Sequence, residues 1–69
     1  MMCIRELNEQ FEIQGMFHIK VWNDDVFDYE TLAEGNEFEW DGFNIDEEIL
    51  ERKITYMYAV DGVLNIEVE

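Results

Sequence analysis

The sequence predicts an α+β fold, mostly antiparallel β. About five strands are expected in the order β-β-β-α-β-β, with one or two short helices, as an open sheet or a small, partly closed barrel. Three observations predict it. Apolar residues alternate with polar ones in three runs between Phe11 and Asp41. Two β-rich runs near the end are joined by Asp61-Gly62. Between these groups lies one stretch with helical spacing and acidic residues at its start.

The terminal runs give the strongest signal. Ile54 to Val60 and Val63 to Val68 flank an Asp-Gly pair, the residue types that accept φ > 0 at both centres of a tight hairpin turn. A two-residue turn pairs Val60 with Val63 and Ala59 with Leu64. One face then carries Thr55, Met57, Ala59, Leu64, Ile66 and Val68. The other carries Ile54, Tyr56, Tyr58, Val60 and Val63 beside Asn65 and Glu67.

Upstream, Phe11, Ile13, Gly15, Phe17, Ile19 and Val21 alternate as a strand does, as do Phe27, Tyr29, Thr31 and Ala33. A one-residue slip inverts a strand, so the loop length is chosen to match faces. A loop of Asn23-Asp24-Asp25 sets Val21 opposite Phe27, Ile19 opposite Tyr29 and His18 opposite Glu30. Glu37-Phe38-Glu39-Trp40-Asp41 alternates strictly and predicts a third strand, turned back by Gly35-Asn36. In Asn44 to Arg52, Asn44 suits an N-cap with Glu47 three residues on. Ile45, Ile49 and Leu50 share a helical face there. Ile4, Leu7 and Phe11 suit a short helix near the start, although a further strand fits too. Five strands with a helix between the third and fourth resemble the element order of an OB-fold, on order alone.

The 69 residues bound the protein at one domain, residues 1–69. A core this small supplies about 3–5 kcal/mol and is usually supplemented. One cysteine, Cys3, excludes an internal disulfide, and Cys3 with His18 cannot make a four-ligand zinc site. Good local structure or self-association remains. The chain is 48% hydrophobic and 14% aromatic, which argues for folding rather than disorder. The net charge of −14 opposes direct binding to nucleic acid and to anionic membrane. No apolar run suits a membrane span and no leader pattern opens the sequence, so the expected setting is cytoplasmic.

Catalytic chemistry finds little support. Without serine there is no Ser-His-Asp triad. Cys3 and His18 are the only thiol and imidazole, and a dyad needs them within hydrogen-bond reach. Carboxylates are so abundant that no pair stands out as an acid and base. The Asp-rich segments starting at Asn23 and Asp41 lack the EF-hand pattern, and the four glycines are isolated rather than gathered into a phosphate-binding loop. The expectation is a protein that is not an enzyme and needs no cofactor or metal.

Two surfaces carry the functional expectation. Asp28, Glu30, Glu34, Glu37, Glu39 and Asp41 would line the outer face of the second and third strands. Carboxylates two apart on a strand sit about 6.6 Å apart. Such an array could dock on a basic protein, or mimic a nucleic-acid backbone toward it. The second surface is an apolar stripe of Trp22, Ile54, Tyr56, Tyr58, Val60 and Val63, a natural interface. Met16, Val26 and Leu32 are expected beside Trp22. Homodimerisation through a sheet face or edge follows, and packing on a larger protein as a small accessory subunit is the alternative.

Overall fold

The computed structural model describes residues 2–41 and 45–69. It is α+β, with helices α1 (Ile4–Gln10), α2 (Glu37–Asp41) and α3 (Glu47–Leu50). The strands are β1 (Met16–Asn23), β2 (Asp28–Asn36), β3 (Ile54–Val60) and β4 (Val63–Val68). They form one open sheet in the order β2-β1-β4-β3. Two antiparallel hairpins lie side by side and meet along β1 and β4, which run parallel. The sheet is thus mixed and four-stranded, not five-stranded, and it does not close into the barrel of an OB-fold.

The β3–β4 hairpin has the expected turn. Asp61 (φ 51°) and Gly62 (φ 78°) are both left-handed, and Val60 pairs with Val63 and Ala59 with Leu64. One residue changes face. A bulge between Ile54 and Tyr56 sets Ile54 opposite Val68 and turns it into the core, where it is 9% exposed.

The first hairpin departs further. Its turn takes four residues, Asp24 to Phe27, with Phe27 itself left-handed at φ 53°. The Asn23 side-chain oxygen accepts from the Asp25 amide at 2.9 Å, an Asx turn that extends the loop beyond three residues. Asn23 therefore faces Asp28, Trp22 faces Tyr29 and Val21 faces Glu30. A bulge on β2 at Leu32 then shifts the register, so Ile19 faces Ala33 and His18 faces Glu34. Leu32 packs partly against the core, and Val26 sits exposed in the turn. The strand ends at Met16 on its N-terminal side because Gly15 is left-handed at φ 91°. A Cβ there would lie 2.7 Å from the Gly62 carbonyl oxygen, which accepts from the Met16 amide.

The alternating segment Glu37 to Asp41 is helical, not a strand. The Asn36 side-chain oxygen accepts from the amides of Phe38 (2.9 Å) and Glu39 (3.2 Å), the first free donors of a helix. This cap outweighs the two-residue alternation. It swings Trp40 into the core, fully buried and edge-on to Phe17 at 5.3 Å. Asn44, the expected cap of α3, lies outside the described residues, and Asp46 holds the cap position. Ile45 and Leu50 are buried as expected, although α3 begins only at Glu47 and Ile45 precedes it. The first segment is a helix that buries Ile4 and Leu7 but ends before Phe11, which is exposed.

These side chains make one core between the helices and one face of the sheet. Phe17 and Ile19 of β1, Ile66 and Val68 of β4, and Ile54 meet Ile4, Leu7, Trp40, Ile45 and Leu50. Trp40 donates to the Phe11 carbonyl at 3.1 Å, and Asn8 to the Trp40 carbonyl at 3.0 Å, so α1 and α2 are tied with their polar groups satisfied. No helix of the described residues is long and apolar enough to cross a membrane.

Candidate functional site: the bare face of the sheet

Side chains alternate along a strand, so burying Phe17, Ile19, Ile66 and Val68 on the helices sends their neighbours to the opposite face. That face carries no helix among the described residues. It presents Met16, His18, Lys20 and Trp22 from β1, and Val63, Asn65 and Glu67 from β4. Tyr56, Tyr58 and Val60 come from β3, and Tyr29, Thr31 and Glu34 from β2. All three tyrosines of the chain lie here.

The centre is organised around one cation. The Lys20 Nζ donates to the Tyr58 hydroxyl at 2.6 Å, 4.6 Å from the Tyr29 ring centre and 5.1 Å from that of Tyr58. An ammonium over aromatic faces is held by their negative quadrupoles. Tyr29 reaches across β1 and donates to Glu67 Oε1 on β4 at 2.8 Å. That hydrogen bond, helped by desolvation and the nearby charge of Glu67, raises the Tyr29 pKa above its ordinary value. Trp22 stands edge-on to Tyr29 at 5.2 Å and donates to Asp24 at 2.5 Å. Tyr56 and Tyr58 lie 5.5 Å apart. His18 shares a 2.8 Å hydrogen bond with Thr31.

The rings are therefore held in place yet open to solvent. Trp22 is 46% exposed and Tyr56 60%. Fixed aromatic side chains lose little entropy when a partner covers them, which is why they anchor interfaces.

Five of the six residues expected in the apolar stripe share this face: Trp22, Tyr56, Tyr58, Val60 and Val63. Ile54 does not, because of the β3 bulge. Alternation along the strands puts Glu67 on the face of Tyr56 and Tyr58, and Lys20 on the face away from Ile19 and Val21, but does not bring the two together. A three-residue loop would put Tyr29 on the core side, whereas the four-residue turn sets it opposite Trp22, and the parallel pairing that brings β4 beside Lys20 has no local signature.

The six expected carboxylates do not form one array. Glu34 is on the bare face, opposite His18. Asp28 and Glu30, on the other side of the Leu32 bulge, take the helix-side register opposite Asn23 and Val21. Glu37, Glu39 and Asp41 belong to α2, where Glu39 lies against Gly35. The even strand spacing required for mimicry of a phosphate backbone is therefore not present.

Cys3 and His18 are also apart. Cys3 precedes α1 and bridges to Lys53, whereas His18 lies on the bare face. Among the described residues no group of three or more His, Cys, Asp or Glu is placed to hold a metal ion.

The fold and the site define a small α+β protein with a half-covered mixed sheet. No protein family, curated protein or solved structure matches the chain significantly.

Proposed function

We propose that this protein is a non-enzymatic acidic interaction module of the cytoplasm that docks through the bare face of its sheet onto a basic protein. The observation that carries this reading is the aromatic cluster of Trp22, Tyr29, Tyr56 and Tyr58, ordered around Lys20 and open to solvent. Exposed aromatic side chains gathered on one face and interleaved with polar groups are the anchors typical of protein interfaces.

Charge supplies the sign of the partner. The chain carries 18 acids against four Lys and Arg. Three of those cations are engaged within the chain. Arg5 pairs with Glu51 at 2.7 Å, Arg52 lies 4.0 Å from Glu48, and Lys20 sits among the tyrosines. A partner with apolar anchors and a basic rim is steered by this field and held by the rings. Docking replaces nucleic-acid mimicry as the form of the interaction, because the carboxylates are spread over several surfaces.

The co-facial stripe of Trp22, Tyr56, Tyr58, Val60 and Val63 equally favours a second reading: an accessory subunit held permanently on a larger protein. The two differ in lifetime and salt response. Transient electrostatic docking weakens as salt rises, and permanent apolar packing does not.

The test compares binding of the basic partner to the wild type and to a Trp22→Ala/Tyr56→Ala double variant. The double variant is expected to keep its circular dichroism spectrum and lose at least about tenfold in affinity, the loss of 1.4 kcal/mol or more typical of anchor residues. Glu34→Gln and Glu67→Gln should reduce the salt dependence more than Glu37→Gln and Glu39→Gln. Equal binding by the double variant would overturn the proposal.

A further inference from the structure

The two edges of the sheet are unlike. β2 is one edge and carries Asp28, Glu30 and Glu34. Charged side chains on an edge strand oppose pairing with another chain. β3 is the other edge, Ile-Thr-Tyr-Met-Tyr-Ala-Val, with no charged residue in a protein that is 32% charged. Its residues are β-branched or aromatic in five of seven positions, the types that favour strand pairing.

The N-terminal segment covers only the start of this edge. The Ile54 amide donates to the Met2 carbonyl at 2.8 Å, and Cys3 bridges to Lys53. Past that point, among the described residues, β4 is the only backbone paired with Thr55 to Val60. Backbone donors and acceptors along the outer side form a template for one more strand.

We propose that β3 pairs antiparallel with β3 of a second copy, about a two-fold axis normal to the sheet, to make a continuous eight-stranded sheet. Antiparallel self-pairing is isologous, so one strand suffices as both donor and acceptor. Charge selects the β3 edge for a second copy. Two chains of −14 repel, and they approach with least penalty where the strand itself bears no charge. Pairing through β2 would set carboxylates against carboxylates. The axis normal to the sheet leaves both bare faces on one side, with Tyr56 and Tyr58 of each copy nearest the junction. The inference is independent of the docking reading, since an edge pairs whether or not the face is occupied.

Sedimentation equilibrium over a range of concentrations, at low and high salt, tests this. The wild type is expected to form a reversible dimer that tightens with salt, as screening relieves repulsion between the copies. Met57→Glu places a charge near the middle of β3, opposite or diagonal to its own copy, and should weaken the dimer by about tenfold or more. Glu30→Gln on β2 should leave it unchanged or slightly tighter. Amide hydrogen exchange of the wild type gives a second reading that needs no variant: Thr55 to Val60 should gain protection as concentration rises. A monomer at every concentration in high salt, a dimer untouched by a folded Met57→Glu variant, or concentration-dependent protection on β2 alone would each overturn the proposal.

Discussion

The Lys20 Nζ and the Tyr58 hydroxyl are 2.6 Å apart, joining the β1 and β3 strands across the intervening β4. The same ammonium lies over the Tyr29 ring of β2. One side chain thus links tyrosines from both edge strands and both hairpins. On a face that carries no helix among the described residues, it does the positioning that a second packed layer would otherwise do.

Replacing Lys20 by Met keeps the length of the side chain and removes its charge. The variant should lose about 1 kcal/mol in urea denaturation, the scale of a partly exposed cation–π contact. Tyr29 and Tyr58 should also show greater ring mobility by NMR. Unchanged stability and ring order would show that the cluster is held by burial alone.

Tyr29 makes the face sensitive to alkaline pH. Its pKa is raised, chiefly by the hydrogen bond to Glu67, above the ordinary tyrosine value of 10.0. A group whose folded pKa is raised contributes stability that is fully present below the unfolded value and is lost as pH rises through the folded one. Phenolate absorbance should therefore show one tyrosine titrating above the ordinary value. Glu67→Gln should lower that midpoint by removing the carboxylate charge, and no movement would contradict the assignment.

Trp40 joins α2 to the core and is completely buried. Trp40→Ala removes the contact with Phe17 and the hydrogen bond to the Phe11 carbonyl, a cost of about 3–5 kcal/mol. That equals the stability expected of so small a core, about 3–5 kcal/mol. Far-ultraviolet circular dichroism should find this variant largely unfolded at room temperature, and Trp40→Phe folded with a lower Tm.

Asn36 decides that the segment after β2 is helix rather than strand. Asn36→Ala frees the amides of Phe38 and Glu39 and should cost about 1 kcal/mol by denaturant titration. Asn36→Asp keeps the acceptor and should recover most of it. A loss as large in Asp as in Ala would mean that the side chain acts otherwise than as a cap.

The legible parts of the fold were those set by local chemistry. Asp61-Gly62 marks its turn because both residues must be left-handed, and both are. Ile4 and Leu7 mark the buried face of α1 and Leu50 that of α3 by spacing, whereas Ile45 is buried ahead of α3 and Phe11 lies exposed past the end of α1. Three features were illegible for separate reasons. The alternation of Glu37 to Asp41 matches a strand, but one Asn36 side chain satisfies two amides and wins. The four-residue turn puts Glu30, and the Thr55 bulge puts Ile54, on the face opposite to the one that counting assigns, and the Leu32 bulge returns Ala33 and Glu34 to their expected faces. The parallel pairing of β1 with β4 depends on a crossover spanning the whole β2-to-β3 connection, which leaves no mark in either strand. The stripe on the candidate face was visible because it lies in the well-specified hairpin. Its Lys20–Tyr29–Glu67 centre was not, because it draws on three strands.

The central claim is that the bare face, not the helix side, meets the partner. A photoreactive side chain placed at Tyr56, and in a separate variant at Phe38, tests it directly in native cells. Phe38 is 76% exposed on α2, so both sites are accessible. The account predicts that the Tyr56 variant crosslinks to a specific protein with a basic surface, and that the Phe38 variant does not. Crosslinking of that protein from Phe38 alone, or equally from both positions, would contradict it.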